Sequence, residues 1–548
     1  MNRITVLEPD MVKIDHGPRG RGPLGLKAKF KVQLVAGSEK PRQAVSMCDI
    51  GSTCQVVVPQ NSCENFVSGV LERVFYVKLN DQWVPPPEPV VDIATRLRPF
   101  AKLLKREVGN TYSPVTPEAF AEGYRGKKLV VYTTAAQDYG LQKLNIARDS
   151  IGKAFVKYEK MAIGTKFGGR MGGGDLPSAP RIVFPRTPLY NLALGRYLKH
   201  VEHCVYEGIA EVYGEATVTK GLNALQTGML IKKKWSKFSK PVAIGLDAER
   251  FDEHVHWKML EWEHAIYRYM FNRCSRAERV ELAKLLRRQL QNRCKVRGAT
   301  WRASYVTLGT RASGDMNTAL GNCTIMCALI WIYMKELGIT KFELLNNGDD
   351  CVLIIEKDEL YKLSGLKAWF LDFGFTMKME QPVYEMEHIE FCQCRPVQLD
   401  PDTTIVVRDV WKSMAKDVVS LNPIRNKQEW DNQRDAVGQC GLALTSGVPI
   451  MQSFYLSLMR GSNPRQMKDD GTMSGMKYLA RGMESKTKPI TMFARESFMR
   501  AFGPSIPVQM HMERELDQIK LEYQWGSPLD NPYSVLSTFD VVGATYGY

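Results

Sequence analysis

Leu344 to Glu356 reads LLNNGDDCVLIIE. Two apolar runs, each too short for an independent helix, flank Asn347-Gly348, a strong hairpin-turn pair. The stretch is therefore predicted as a β-hairpin with Asp349 and Asp350 at its tip. Neighbouring acids repel there unless a cation is present, and a divalent ion bound by oxygen ligands is the simplest compensation. The same residues also suit an ordinary solvated turn, so the reading needs a carboxylate from a second element.

PVAIGLDAERFDEHV, residues 241–255, supplies one: strand-like VAIGL delivers Asp247, and Asp252 follows. Two Mg²⁺ ions held roughly 3.5–4 Å apart can activate an attacking hydroxyl and stabilise a leaving phosphate oxygen. Asp247, Asp349 and Asp350 would suffice to hold them. Alternatively, Asp247 and Asp252 are surface acids at a strand-to-helix turn, with Asp252 an N-cap. Between the acidic stretches lies TLGTRASGDMNTALGNCTIMCALIWIYM, flexible at Ser313-Gly314 and helical beyond. Thr318 and Asn322, four apart, share a helical face and can hydrogen-bond a ribose and the carboxylate that recognises it. Cys323 to Met334 is shorter than the about 20 residues that cross a bilayer and is expected to be a buried helix.

The chain has 548 residues, 44% of them hydrophobic, enough for a large core and several subdomains. Its formal charge of +15 favours a polyanionic partner, nucleic acid first and an anionic membrane surface second. The 12 cysteines are scattered and the start MNRITVLEPD is too polar for a signal peptide, so free thiols in a reducing compartment are expected. HGPRGRGPLG, VPPPEPV and FGGRMGGGDLPSAPR read as loops or boundaries. Strands and helices alternate from Val242 to about Leu360, and beyond Leu421 the chain reads as a separate α-rich unit. The glycines at Gly168 to Gly174 lack a P-loop ending, and no helicase function is expected.

In order and spacing, Asp247-x4-Asp252, Ser313-Gly314-x3-Thr318-x3-Asn322 and Gly348-Asp349-Asp350 resemble motifs A, B and C of the RNA-directed RNA polymerases of positive-strand RNA viruses. GLDAERFDEHV, SGDMNTALGN and NNGDDCV, with NSCENFVSGVLERVFYV and APRIVFPRTPLYNLALGRYLKHVEH, are similar to the tombusvirus family, carmovirus-like members included. The resemblance covers most of the chain and thins toward the C-terminus.

The resemblance implies an α+β right hand of fingers, palm and thumb, the palm an antiparallel sheet packed on helices. Residues 1–190 would be an N-terminal extension and fingers with the motif F arms, and 191–240 fingers and palm helices. Residues 241–415 would be the palm with motifs A to E and a fingers insertion, and 416–548 an α-rich thumb and C-terminal tail. It implies that Asp247 and Asp349 are the principal metal ligands, that Asp350 assists, and that the cofactor is Mg²⁺, with Mn²⁺ able to substitute. Asp252 and Asn322 would sense the ribose 2′-hydroxyl, while Ser313, Gly314 and Thr318 position nucleotide and template. Lys157 and Lys160 match the first arm of motif F and Arg181 the second, with Arg186 nearby; these would bind the triphosphate, as cationic clamps on a leaving pyrophosphate do. Lys378 in FGFTMKMEQPVY would protonate that pyrophosphate.

HIEFCQCRPV, 388–397, resembles a motif E strand; Cys392 and Cys394 on one face of it suit packing better than zinc, for which the spacing is poor. LIKKKWSKFSK, 230–240, interleaves lysines with Trp235 and Phe238 and suits RNA contact with base stacking, or a solvated amphipathic edge. The expected partners are a single-stranded RNA template, NTPs, a viral replication auxiliary protein and host factors. Membrane association would come through another segment or protein, in a replication complex of the host cytoplasm, and the resemblance favours primer-independent starts. Two competing classes are a reverse transcriptase and a catalytically silent RNA-binding scaffold. The first is disfavoured by Asp252 where a bulky residue is usual, the second by the full set of carboxylates.

Overall fold

The computed structural model describes residues 4–6, 11–14, 29–42, 44–48, 50, 55–79, 82–163, 179–465, 474–523 and 538–539. The glycine-rich runs at 16–25 and 168–174 lie outside the described residues. In chain order, the elements that position the site begin with β1 (Lys29–Leu34), α1 (Ala224–Trp235), β2 (Pro241–Ala248), α2 (Phe251–His254), α3 (Trp257–Met270) and α4 (Arg276–Arg287). They continue with β3 (Gln291–Arg297), β4 (Trp301–Leu308), α5 (Thr318–Glu336), β5 (Phe342–Asn347), β6 (Asp350–Glu356) and β7 (Met377–Met379). The last are β8 (Cys394–Gln398), β9 (Thr404–Arg408), α6 (Lys427–Thr445) and α7 (Met451–Met459).

Period-two alternation organises the centre, because successive strand side chains point to opposite faces. β5, β6, β2 and β7 form an antiparallel sheet in that order. Val242, Ile244 and Leu246 of β2, with Leu353 and Ile355 of β6, join a core built with α3 and α5. The intervening Ala243, Val352 and Ile354 join a second core with α1, β8, β9 and the C-terminal helices. Both faces are covered, which is why β6 reads as an almost unbroken apolar run. The expected α+β class is observed.

Apolar on every side, α5 is by length and composition able to cross a membrane, and most of it is buried inside the protein. Its C-cap is Leu337, and Gly338 follows at φ +67° to turn the chain. The β3–β4 hairpin leaves the central sheet and pairs through β4 with β1. An aromatic cluster seals this sheet, with the Phe66 and Trp301 ring centroids 4.5 Å apart.

Three expectations are corrected. The C-terminal region is α-rich, yet not separate: Val45 and Met47 share its core, Val45–Ser46 pairs with Val419–Ser420, and Trp430 Nε1 donates to the Met47 carbonyl at 2.7 Å. Residues 388–397 are not one strand. Phe391 and Cys394 close a tight turn whose central residues, Cys392 and Gln393, both take the left-handed region at φ 53° and 59°, so only Cys394 lies on β8. The lysines of 230–240 are largely matched by acids that the sequence places far away. Lys234 is buried against Glu343 at 2.6 Å, Lys237 bonds Glu343 at 2.5 Å, Lys233 pairs with Glu215 at 2.7 Å, and Phe238 is buried rather than open for stacking. Every described cysteine is a free thiol.

Candidate active site

Antiparallel register places Asn347, Asp350, Asp247 and Lys378 in one row across the sheet, through the pairs Asn347↔Asp350, Asp350↔Asp247 and Asp247↔Lys378. Directly opposed residues share a face, their Cβ atoms about 4.5–5.5 Å apart. The hairpin turn is Gly348–Asp349, one residue beyond the pair expected, with Gly348 at φ +92° where a two-residue turn takes glycine first. Asp349 therefore stands on the tip and Asp350 opens the strand.

This corner concentrates negative charge. Asp350 Oδ2 accepts from the Cys392 amide at 2.9 Å, so the turn before β8 serves the carboxylate. Burial pushes Asp350 up to about 6 against that hydrogen bond, with the charges of Asp349 and Asp247 adding. Burial also raises Asp247, opposed by Lys378 and assisted by Asp349 and Glu249. Among the described residues, no group of three or more His, Cys, Asp or Glu side chains is drawn together tightly enough to hold a metal ion by itself. Mg²⁺ does not need one, since it is bound through one or two carboxylates plus substrate phosphates. Hard oxygen donors that repel one another fit such an ion.

After β2 the chain turns sharply at Arg250, φ +47°, and Asp252 falls in the first turn of α2. The backbone amides of Thr310 and Arg311 donate to the carbonyls of Val255 and Asp252 at 2.8 and 2.7 Å, lacing this loop to the segment before α5. Asn322, one turn into α5, donates from Nδ2 to Asp252 Oδ1 at 2.9 Å. Burial pushes Asp252 up to about 6 although the Asn322 bond works against it, and Asp349 adds to the rise.

Asp247, Asp349, Asp252 and Ser313 line a cavity of about 370 Å³ together with Arg73, Arg181, Arg250 and Arg311. Gly314, at φ +116°, follows Ser313, and the Thr318 hydroxyl donates to the Ala312 carbonyl at 2.8 Å, closing the loop that carries both. Arg181 also pairs with Glu159 at 3.4 Å, as does Lys157 at 2.7 Å. Lys378 reaches Glu249 at 3.2 Å.

Two of the basic residues expected at the triphosphate are held elsewhere. Lys160 donates to the carbonyls of Lys416 and Val419 at 2.6 and 2.9 Å. Arg186 is buried, paired with Asp315 at 2.5 Å and bonded to the Ser150 carbonyl at 2.6 Å. Arg73 and Arg250 were not singled out by sequence. Burial brings Arg73 down to about 10, with the charges of Arg250 and Arg181 contributing. For Arg250 a signal was available, an arginine between the two aspartates of LDAERFD; Arg73, in LERVF, carries none.

Residues 31–524 match the family model described as viral RNA dependent RNA polymerase. The chain is 38% identical over 495 residues to the RNA-directed RNA polymerase of Tobacco necrosis virus (strain A), covering 90% of this chain and 66% of that protein. It is 36% identical over 515 residues to that of Oat chlorotic stunt virus, covering 90% and 66%, and 35% identical over 514 residues to that of Turnip crinkle virus, covering 92% and 63%. It thus spans slightly less than two thirds of the length of these relatives.

Proposed function

The chain belongs to the viral RNA-dependent RNA polymerase family, and from that premise we propose that it synthesises RNA on a single-stranded RNA template from NTPs. The observation that carries the reading is the Asp247–Asp350 row, with Asp349 on the adjoining turn, beside the Asp252–Asn322 bond in an arginine-lined cavity. In this reading Asp247 and Asp349 hold Mg²⁺ (or Mn²⁺) and Asp350 assists. The metal, when bound, supplies activation of the attacking hydroxyl and charge stabilisation of the leaving pyrophosphate.

The chain's own side chains do the rest. Arg181, with Arg73 and Arg250, faces the triphosphate, where preformed cations offset charge as it develops. Lys157, which shares Glu159 with Arg181, assists, and Lys378 beside Asp247 is the proposed proton donor to pyrophosphate. Asp252 and Asn322 read the ribose 2′-hydroxyl, while Ser313, Gly314 and Thr318 shape the loop against which nucleotide and template rest. Arg186 acts by holding Asn292 of the cavity wall, and Lys160 by tying its segment to residues 416–419. The right-hand reading assigns the central sheet to the palm, residues before 190 and the β3–β4 hairpin to the fingers, and residues from 416 to the thumb. Its proposed setting is a membrane-associated replication complex of the host cytoplasm, with auxiliary viral and host proteins, which fractionation of infected cells tests.

The test of activity is synthesis of labelled RNA by the purified chain with template, NTPs and Mg²⁺. Product from wild type and none from Asp349→Asn supports the proposal. Absence of product from both, under conditions where the wild type binds RNA, favours the scaffold.

A further inference from the structure

Behind the cavity, the Asp252–Asn322 bond is the outer end of a buried polar chain. Asn322 Oδ1 accepts from Arg311 Nε at 3.0 Å, and the Arg311 guanidinium is ion-paired with Glu263. Arg311 is 4% exposed and Glu263 0%. Glu263 Oε1 also accepts from the Tyr267 hydroxyl at 2.7 Å and from Asn317 Nδ2 at 2.9 Å.

We propose that the Arg311–Glu263 pair is a positioning device that determines sugar specificity, an inference that rests on the reading of Asp252 and Asn322 as the 2′-hydroxyl sensor. An asparagine amide can sit either way round. Guanidinium carries donors only, so Arg311 Nε–H admits only Oδ1 on its side and turns Nδ2 outward to Asp252. That leaves one Asp252 oxygen and one Nδ2 hydrogen for a hydroxyl, which both donates and accepts. A flipped amide would set its oxygen against the carboxylate and lose the site. Arg311 holds the other member too, since its backbone amide bonds the Asp252 carbonyl at 2.7 Å. It follows Thr310, a β-branched residue at φ +60°, a backbone conformation that costs free energy and is kept where geometry demands it.

Gly321 gives independent support. A Cβ at this position would stand 2.3 Å from an Arg311 terminal nitrogen and 2.4 Å from Glu263 Oε1. Glycine inside a helix is less favourable than alanine. Helix α5 accepts that cost at the residue before Asn322, where the ion pair passes. Stability alone does not call for the pair, because apolar replacements of buried ion pairs are often neutral or stabilising.

The test is single-nucleotide extension on one template, comparing the GTP to dGTP ratio of kcat/KM in wild type, Asp252→Ala, Arg311→Lys and Gly321→Ala. Lysine keeps Glu263 compensated, but one ammonium cannot fork onto Glu263 while presenting an oriented donor to Asn322. A merely structural defect lowers the active fraction and scales both substrates equally, leaving the ratio untouched. Mispositioning predicts a ratio lowered roughly 10- to 100-fold in both Arg311→Lys and Gly321→Ala, with dGTP use little changed. The proposal is overturned if Asp252→Ala collapses the ratio while the folded Arg311→Lys and Gly321→Ala chains keep it. Should Arg311→Lys not fold, Gly321→Ala decides alone. An unchanged ratio in Asp252→Ala overturns the sensor reading, and this inference with it.

Discussion

Two groups of acids flank the Asp252–Asn322 bond and are treated in opposite ways. Behind it, Glu263 is buried against Arg311, and elsewhere in the chain Asp315 is likewise buried against Arg186 and Asp417 against Arg408. Burial works to raise Glu263 and Asp417, but the adjacent arginines win and hold both below the usual carboxylate range. In front, Asp247, Asp349 and Asp350 gather with one lysine across the sheet and, among the described residues, no arginine bonded to them. The same chain that neutralises its interior acids leaves these to repel. A local conflict that the fold could have relieved and did not is what a site retained for chemistry looks like.

The contrast breaks most visibly in activity. Asp349→Asn should lower RNA synthesis by on the order of 10²–10³-fold or more, the scale for losing one preorganised electrostatic partner, while the unfolding midpoint stays or rises. Near wild-type synthesis by the folded variant would remove the front group's role. Asp315→Ala should do the reverse. Stranding the Arg186 charge costs about 3–5 kcal/mol in denaturant unfolding, and the double variant Arg186→Met/Asp315→Leu should recover most of it. If the single change is silent in unfolding, the pair is not structural.

Proton linkage sharpens the comparison further. Asp350 in the folded protein titrates at about 6 against an ordinary 3.8, so the folded state holds more protons between those values. Its contribution is present below pH 3.8 and lost as pH rises through 6. Asp350→Asn should therefore be more stable than wild type at pH 7.5 in EDTA, by at most about 2–3 kcal/mol, and the advantage should vanish by pH 4. A difference independent of pH would mean Asp350 is not strained. For Glu263 the sign is opposite: its contribution is present above pH 4.5 and lost on acidification. The smallest effect is metal stabilisation. At Mg²⁺ tenfold above Kd, wild type should gain about 1.4 kcal/mol and Asp247→Asn much less. Equal gains would place the metal elsewhere.

What the sequence disclosed was local. The hairpin at 344–356, the strand that carries Asp247 and the helix that carries Asn322 follow from periodicity and a glycine turn within a few residues. What it hid depends on partners far along the chain. Arg186 was expected at the triphosphate, and Asp315, 129 residues on, holds it inside instead. Lys234 meets Glu343 across 109 residues in the same way. Cys392 escaped a strand because its turn serves Asp350, 42 residues earlier. Gly321 was legible in principle, since a glycine within an apolar helix asks what passes close by.

The join between Met47 and Trp430 has a consequence for synthesis. The two residues are 383 apart, and closing so long a loop adds little entropy over a shorter one. Time is the larger matter. At roughly 5–20 residues per second, about 20–80 s separate the emergence of Met47 from that of Trp430. Throughout that interval Val45, Met47 and Val56 have no completed core to enter, and a ribosome stalled before residue 430 presents them to chaperones and proteases. The core that Val45 and Met47 enter is thus completed only by residues from Trp430 on, and a nascent chain halted before them should be degraded faster than one halted after residue 523.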